Sequence, residues 1–166
     1  MEWTDYFLGV AFLVSQRSKD AQTKHGCILV DRFNRIVGCG YNSFARGMPD
    51  KDLPNTRPKK YPLMLHAEKN AILNCTVDLR GAGATAYVTG HCCFPCAYDL
   101  WQAGIERVIY AARLDWSWHA SEEERENFDM LKKHIDIVPH TPDFTFFNNI
   151  LQIANSNQWI DHARPR

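Results

Sequence analysis

Two short stretches constrain this chain more than anything else in it: His66-Ala67-Glu68-Lys69-Asn70-Ala71-Ile72 and Thr89-Gly90-His91-Cys92-Cys93-Phe94-Pro95-Cys96-Ala97. The first offers an imidazole and a carboxylate two residues apart. The second offers two thiols, Cys93 and Cys96, at C-x-x-C spacing. Zinc takes nitrogen and sulfur ligands tetrahedrally, and a catalytic zinc keeps one of its four positions for water. His66, Cys93 and Cys96 fill three positions, and Glu68 is left over as a group that moves protons. Alone, H-x-E is also what a helix start with a surface carboxylate looks like. A lone C-x-x-C also serves as a redox pair or as half of a structural zinc site. The two together, each at the start of a predicted helix, point to one metal centre.

The rest of the chain is compatible with such a centre. Its 166 residues make one domain, expected over 1–155 with a C-terminal tail at 156–166, and are enough for a real core. Formal net charge is zero, so no global basic field recruits nucleic acid. Of the six cysteines, 92, 93 and 96 crowd one turn, which favours metal binding over a disulfide framework. The opening Met1-Glu2-Trp3-Thr4-Asp5 lacks the basic-then-apolar pattern of a secretory signal. No apolar run is long enough to span a bilayer. The expected setting is soluble, reducing and cytoplasmic, with no membrane partner.

Trp3, Tyr6, Phe7, Val10, Ala11 and Val14 recur at helical spacing and predict an amphipathic helix with that stripe on the core, ending near Ser18-Lys19-Asp20. Cys27–Val30 and Arg35–Tyr41 read as a hairpin turned by Asp31-Arg32-Phe33-Asn34, with Cys27 and Cys39 facing each other across it. From Asn42 to Pro62 the density of Gly and Pro predicts a loop. Its cations, Arg46, Lys51, Arg57, Lys59 and Lys60, read either as solvated surface or as an anion-binding lid. A helix over about 65–73, a strand over 85–89, a helix from Phe94-Pro95 and a strand over 107–111 follow. Ser121 with three acids behind it starts another helix. A last strand over 135–138 stops at Pro139, and 144–154 is a closing helix. The order predicts an α/β fold with a mixed five-stranded sheet and helices on both faces.

Two thiolates offset the charge of the metal, and helix amino termini favour the thiolate form. Zinc brings a bound water to a pKa of about 7. Glu68 would take a proton from that water and pass protons to the substrate. A His-x-Glu followed by a Cys-x-x-Cys, with the Glu not a ligand, is the pattern of the zinc deaminases of nucleobases.

The chain resembles the zinc-dependent cytidine and deoxycytidylate deaminase superfamily, and within it the deoxycytidylate branch. The likeness rests on Glu2-Trp3 through Tyr6-Phe7 with Ser15 to Asp20, on Arg35 to Gly38 with Gly40-Tyr41-Asn42, on Tyr61-Pro62 with His66 to Ile72, and on Cys93 to Ala97 with Gln102 to Ile105. The resemblance implies a cytidine-deaminase-like three-layer α/β/α sandwich, one catalytic zinc and a homo-oligomer. It implies hydrolysis of dCMP to dUMP and ammonia, which supplies dUMP for thymidylate synthesis. It also implies that Asn42 bonds the sugar, that the Ala67 N–H holds the base carbonyl, and that the His91 carbonyl holds the exocyclic amine. A stacking aromatic is expected at Trp116 or Trp118, and phosphate contacts at Thr23, Lys24 and the basic loop.

Some positions depart from the family. Cys92 stands where the family has proline, beside the ligand; Cys93 is preferred because Cys92 to Cys96 would be C-x-x-x-C. Ser43 replaces a glycine in the loop that the resemblance ties to dCTP and dTTP regulation, which puts that regulation in doubt. His25, His91 and the nearby cysteines are the alternative for a second, structural zinc. Other substrates stay open: dCTP, a 5-modified cytosine nucleotide, or cytosine in single-stranded nucleic acid. A non-catalytic nucleotide sensor is the reading from a different class, and the retained Glu68 speaks against it.

Overall fold

A computed structural model describes residues 1–49, 51–112 and 121–155. The elements run α1 (Trp3–Ser15), β1 (Gly26–Val30), β2 (Ile36–Tyr41), β3 (Ser43–Phe44), β4 (Met64–Leu65), α2 (Ala67–Leu73), β5 (Ala84–Val88), α3 (Phe94–Gln102), β6 (Ile105–Ala111), α4 (Glu122–Leu131), β7 (Asp136–His140) and α5 (Thr145–Asn155). The main sheet has the order β2-β1-β5-β6-β7, and β3 and β4 form a small sheet of their own. Strand β1 is antiparallel to both neighbours, whereas β5, β6 and β7 are parallel. This is the expected mixed five-stranded sheet.

Alternation along the strands builds two cores. Cys27 and Leu29 point to the face covered by α2, α3 and α4, where Ala71, Leu100 and Phe128 meet them in one cluster. Ile28 and Val30 point to the other face, where they join Phe7, Leu8 and Ala11 of α1. All five β1 residues are buried, as a central strand with helices on both sides requires. Phe144 packs edge-on against Phe12 at 5.1 Å, which leads the chain into α5 on the α1 side.

The buried residues of α1 are Asp5, Phe7, Leu8, Gly9, Ala11 and Ser15, with Val10 and Val14 packed against the same core, so the expected stripe holds except at Trp3 and Tyr6. Trp3 and Tyr6 are 58% and 39% exposed. Trp3 reaches the core only at its edge, stacking on the buried Phe7 at 5.4 Å. The hairpin register pairs Ile28 with Cys39 and Cys27 with Gly40. Cys27 and Cys39 therefore do not face each other; the first is buried and the second exposed. Strand β7 does not stop at Pro139 but runs through it. It is an edge strand, where alternate N–H groups have no ladder partner, so a missing donor is tolerated.

Glycine at position 40 brings α2 onto the sheet. A Cβ there would run into the backbone of Ala67 and Ala71. The start of α2, with His66 before it, is thereby set directly against β2. Ser121 caps α4 through a full capping box with Glu124, as its sequence predicts.

Candidate active site

His66 is the N-cap of α2 and Cys93 the N-cap of α3, both in extended backbone conformation. Pro95 sits in the first turn of α3, where its missing N–H has no helical partner to lose. The two helix starts converge. His66 Nδ1 lies 3.5 Å from Cys93 Sγ and 3.3 Å from Cys96 Sγ. All three ligand atoms fall within 4.8 Å of one another. Tetrahedral bonding at ordinary Zn–N and Zn–S lengths puts nitrogen and sulfur about 3.5 Å apart. The donor set and its spacing fit zinc. Among the described residues this is the group of His, Cys, Asp or Glu side chains that gathers in this way.

A hydrogen bond from Cys96 and the neighbouring His66 hold the Cys93 thiol well below its usual range, while the same bond and burial push the Cys96 thiol up. His66 is raised in turn by its bond to Cys93. Glu68, one residue into α2, is only 5% exposed. Burial pushes its carboxyl up to about 7, and the Cys93 charge adds to the rise against the pull of its own backbone N–H, His66 and Cys96. Cys92 is 1% exposed, packed in the α2/α3 core, and burial drives its thiol well up. It is a core thiol beside the cluster.

The cluster opens into a cavity of about 210 Å³, whose wall includes Glu68, Ala67, His91, Asn42, Thr23 and Arg57. Ala67 is the first helical residue of α2, so its N–H has no acceptor within the helix. His91 packs against the rings of Tyr110 and Phe128 at 4.9 and 5.2 Å. The buried Asn42 is held by three bonds: its Oδ1 accepts from the His25 N–H at 2.8 Å, and its Nδ2 donates to Thr23 O at 2.9 Å and Asp20 Oδ2 at 3.2 Å. Both amide hydrogens are committed, and one lone pair of Oδ1 remains to accept.

Lys24 does not line this cavity; its ammonium reaches back toward the Gln16 carbonyl at 3.5 Å. Trp116 and Trp118 lie outside the described residues, as does the tail at 156–166. His25 Nδ1 lies 3.4 Å from Thr89 Oγ1, on the same cavity wall. The basic loop divides. Lys51 and Lys59 are exposed, Arg57 lines the cavity, and Lys60 is buried under it with its ammonium 2.6 Å from both Asp20 oxygens. Sequence reasoning missed the Asp20–Lys60 pair, because its partners lie forty positions apart. The available signal was a lysine directly before the aromatic-proline pair Tyr61-Pro62, in a loop otherwise expected at the surface.

The family described as the cytidine and deoxycytidylate deaminase zinc-binding region matches residues 1–112. The chain belongs to this family. It is 41% identical over 140 residues to a deoxycytidylate deaminase of Pongo abelii, covering 78% of this chain and 76% of that protein. It is 42% identical over 130 residues to a deoxycytidylate deaminase of Mus musculus, covering 74% and 70%. In structure it is similar to the dCMP deaminase of cyanophage S-TIM5, solved in complex with dCMP and dUMP. That likeness has a TM-score of 0.63 at 23% identity, and covers 82% of this chain and 95% of the phage chain. The family's three-layer α/β/α arrangement is the one described above.

Proposed function

We propose that this chain is a deoxycytidylate deaminase, which hydrolyses dCMP to dUMP and ammonia. The observation that carries the reading is the His66, Cys93 and Cys96 cluster with the buried Glu68 beside it, at the end of the cavity of about 210 Å³. The similarity to deoxycytidylate deaminases over most of the chain supports the choice of substrate.

Zinc, when held by these three side chains, brings a bound water to a pKa of about 7 and so supplies a nucleophile at neutral pH. Glu68 takes the proton of the attacking water and delivers protons to the ring nitrogen and to the departing amine. The C4–N bond breaks, a C4–O bond forms, and ammonia leaves. A carboxyl poised near neutrality both accepts and donates without a large penalty. The Ala67 N–H donates to the base carbonyl, and the His91 carbonyl accepts from the exocyclic amine. Asn42 receives the sugar hydroxyl on the remaining lone pair of Oδ1; its amide hydrogens are already spent on Asp20 and Thr23. Trp118 is the stacking aromatic of the same reading.

The reading includes one catalytic zinc per chain, on a single domain of residues 1–155. It places the enzyme in the cytoplasm as a homo-oligomer. All six cysteines are free thiols, in keeping with a reducing setting. No helix among the described residues is long and apolar enough to cross a membrane. Trp3 and Leu13, each 58% exposed on α1, are apolar surface that assembly would cover. Ser43 lines a second cavity, of about 710 Å³, with Arg17, Arg46 and Asn74. Adding dCTP or dTTP to the dCMP assay decides the regulation that Ser43 puts in question.

The test is ammonia release with product identification from zinc-loaded protein, offered dCMP, CMP, dCTP, deoxycytidine and a cytosine-containing single strand. Preferred turnover of dCMP is expected. Turnover of dCTP or the strand alone would keep the zinc chemistry and overturn the substrate. Binding of dCMP without ammonia release would make the protein a sensor.

A further inference from the structure

The cavity wall holds two long cations, Arg57 and Lys60, and they differ in kind. Lys60 is already neutralised: its ammonium lies 2.6 Å from both oxygens of Asp20, and the two side chains are 3% and 2% exposed. Arg57 has no carboxylate partner among the described residues. Its guanidinium makes one hydrogen bond, from Nη2 to Thr23 Oγ1 at 3.1 Å, and lies over the Tyr61 ring at 5.8 Å. A guanidinium has five N–H donors in a flat fork, so most of this one's capacity is open.

Arg57 is also held where it is. Its backbone N–H donates to Gln22 Oε1 at 2.9 Å, and Asn55 Nδ2 donates to the Lys19 carbonyl at 2.7 Å. The buried Asp20–Lys60 pair clamps the same loop from below. Two carboxylates line the cavity, Glu68 beside the cysteines and Asp20, and Lys60 cancels the charge of Asp20. An arriving anion therefore meets a positioned cation with little repulsion. Thr23 links Arg57 to the rest of the wall, since the Thr23 carbonyl accepts from Asn42 and Asn42 accepts from His25.

We propose that Arg57 is the specificity-determining residue that reads the 5′-phosphate of the substrate, with the Thr23 hydroxyl beside it, and so selects the nucleotide over the nucleoside. The inference rests on the deaminase reading above and deepens it. A planar fork that binds two phosphate oxygens at once favours arginine for this task over an ammonium. Thr23 keeps its expected place at the phosphate, and Arg57 takes the part expected of Lys24. The Gln22 and Asn55 bonds fix the loop backbone, and the Thr23 hydroxyl and Tyr61 ring orient the guanidinium, so less freedom is lost when phosphate arrives.

The experiment compares wild type with Arg57→Leu and Arg57→Gln, on dCMP and on deoxycytidine. It adds calorimetric binding of dUMP and deoxyuridine as a readout apart from turnover. For both variants, KM for dCMP and Kd for dUMP are expected to rise about tenfold to a hundredfold. The kcat/KM on deoxycytidine and the deoxyuridine affinity, which involve no phosphate, should change far less than the values for dCMP and dUMP. Should one variant fold poorly, the other carries the same comparison. An unchanged ratio of dCMP to deoxycytidine efficiency, with unchanged dUMP affinity, overturns the role of Arg57 while leaving the deaminase reading intact. A wild type that is zinc-loaded yet silent on dCMP fails the deaminase reading itself and takes the inference down with it.

Discussion

The ammonium of Lys60 lies 2.6 Å from both carboxylate oxygens of Asp20, and the pair is buried at 3% and 2% exposure. Asp20 also accepts from the backbone N–H groups of Gln22 and Thr23 and from the side chain of Asn42. One buried carboxylate thus ties the long loop to the turn before β1 and to the residue after β2. Lys60→Met leaves that carboxylate uncompensated, and removing one partner of a buried pair costs about 3–5 kcal/mol. Urea unfolding should show that loss. The double variant Lys60→Met/Asp20→Asn should recover part of it, because no uncompensated charge remains. Equal stability of wild type and Lys60→Met would mean that the pair is open to water.

The same pair sets an acid limit. Burial alone would raise the Asp20 carboxyl, but the hydrogen bond from Lys60 and the N–H groups of Gln22 and Thr23 outweigh it and leave it below its usual value. A carboxylate depressed in the folded state stabilises the fold above its unfolded pKa of about 3.9 and loses that contribution as pH falls through the folded value. The wild-type acid transition from this group therefore lies below about pH 4. In Lys60→Met the burial effect is unopposed by the ammonium, so the midpoint should move to higher pH. Circular dichroism followed from neutral pH to pH 2 compares the two, and a shift to lower pH would contradict this account.

What the sequence made legible follows from how local each cause is. His66, Glu68, Cys93 and Cys96 sit in two contiguous motifs, and each motif states its own chemistry. Ser121 with Glu124 is likewise a local signal, and its capping box is present. The facts that were not legible depend on partners distant in the chain. The hairpin register is one residue away from facing Cys27 with Cys39, and a single slip sends a side chain to the opposite face. Trp3 and Tyr6 keep the helical spacing of the α1 stripe yet stay exposed, because packing on β1 chooses the face. Lys60 reads as surface until Asp20 is brought to it.

Glu68→Gln keeps the volume and removes the proton shuttle. Ammonia release from dCMP should fall by about 10²–10⁴, the usual contribution of a positioned general acid–base. Zinc per chain should stay at the wild-type level, because Glu68 is not part of the ligand cluster. Elemental analysis of the purified variant checks this. Loss of metal would show that Glu68 had been wrongly left out of the ligand set.

Neighbouring thiols should behave oppositely. Cys93 Sγ lies 3.5 Å from His66 Nδ1, whereas Cys92 packs in the apolar core. Cys93→Ser should lose zinc and turnover together. Cys92→Ser should keep zinc and lose some stability, about 1–3 kcal/mol if the new hydroxyl finds no partner in that core. Metal content and urea midpoints for both variants provide the comparison. Zinc loss on replacing Cys92 would reverse the assignment of the two thiols.

Gly40 extends the argument from the ligands to the scaffold that aims them. Its bare Cα lets β2 lie against the start of α2, where an added Cβ would meet the backbone of Ala67 and Ala71. Backbone cannot swing aside as a side chain can, so Gly40→Ala must push α2 outward. Overpacking of this sort typically costs about 1–3 kcal/mol. The helix carries His66 at its cap and Glu68 in its first turn, so both would leave their places relative to Cys93 and Cys96. Gly40→Ala should lower the melting temperature, weaken zinc retention against a chelator and reduce kcat on dCMP. Serine at the exposed Cys39 next to it, as a control, should change none of these. Full zinc retention and full turnover in Gly40→Ala would show that the close contact of β2 with α2 does not aim the site.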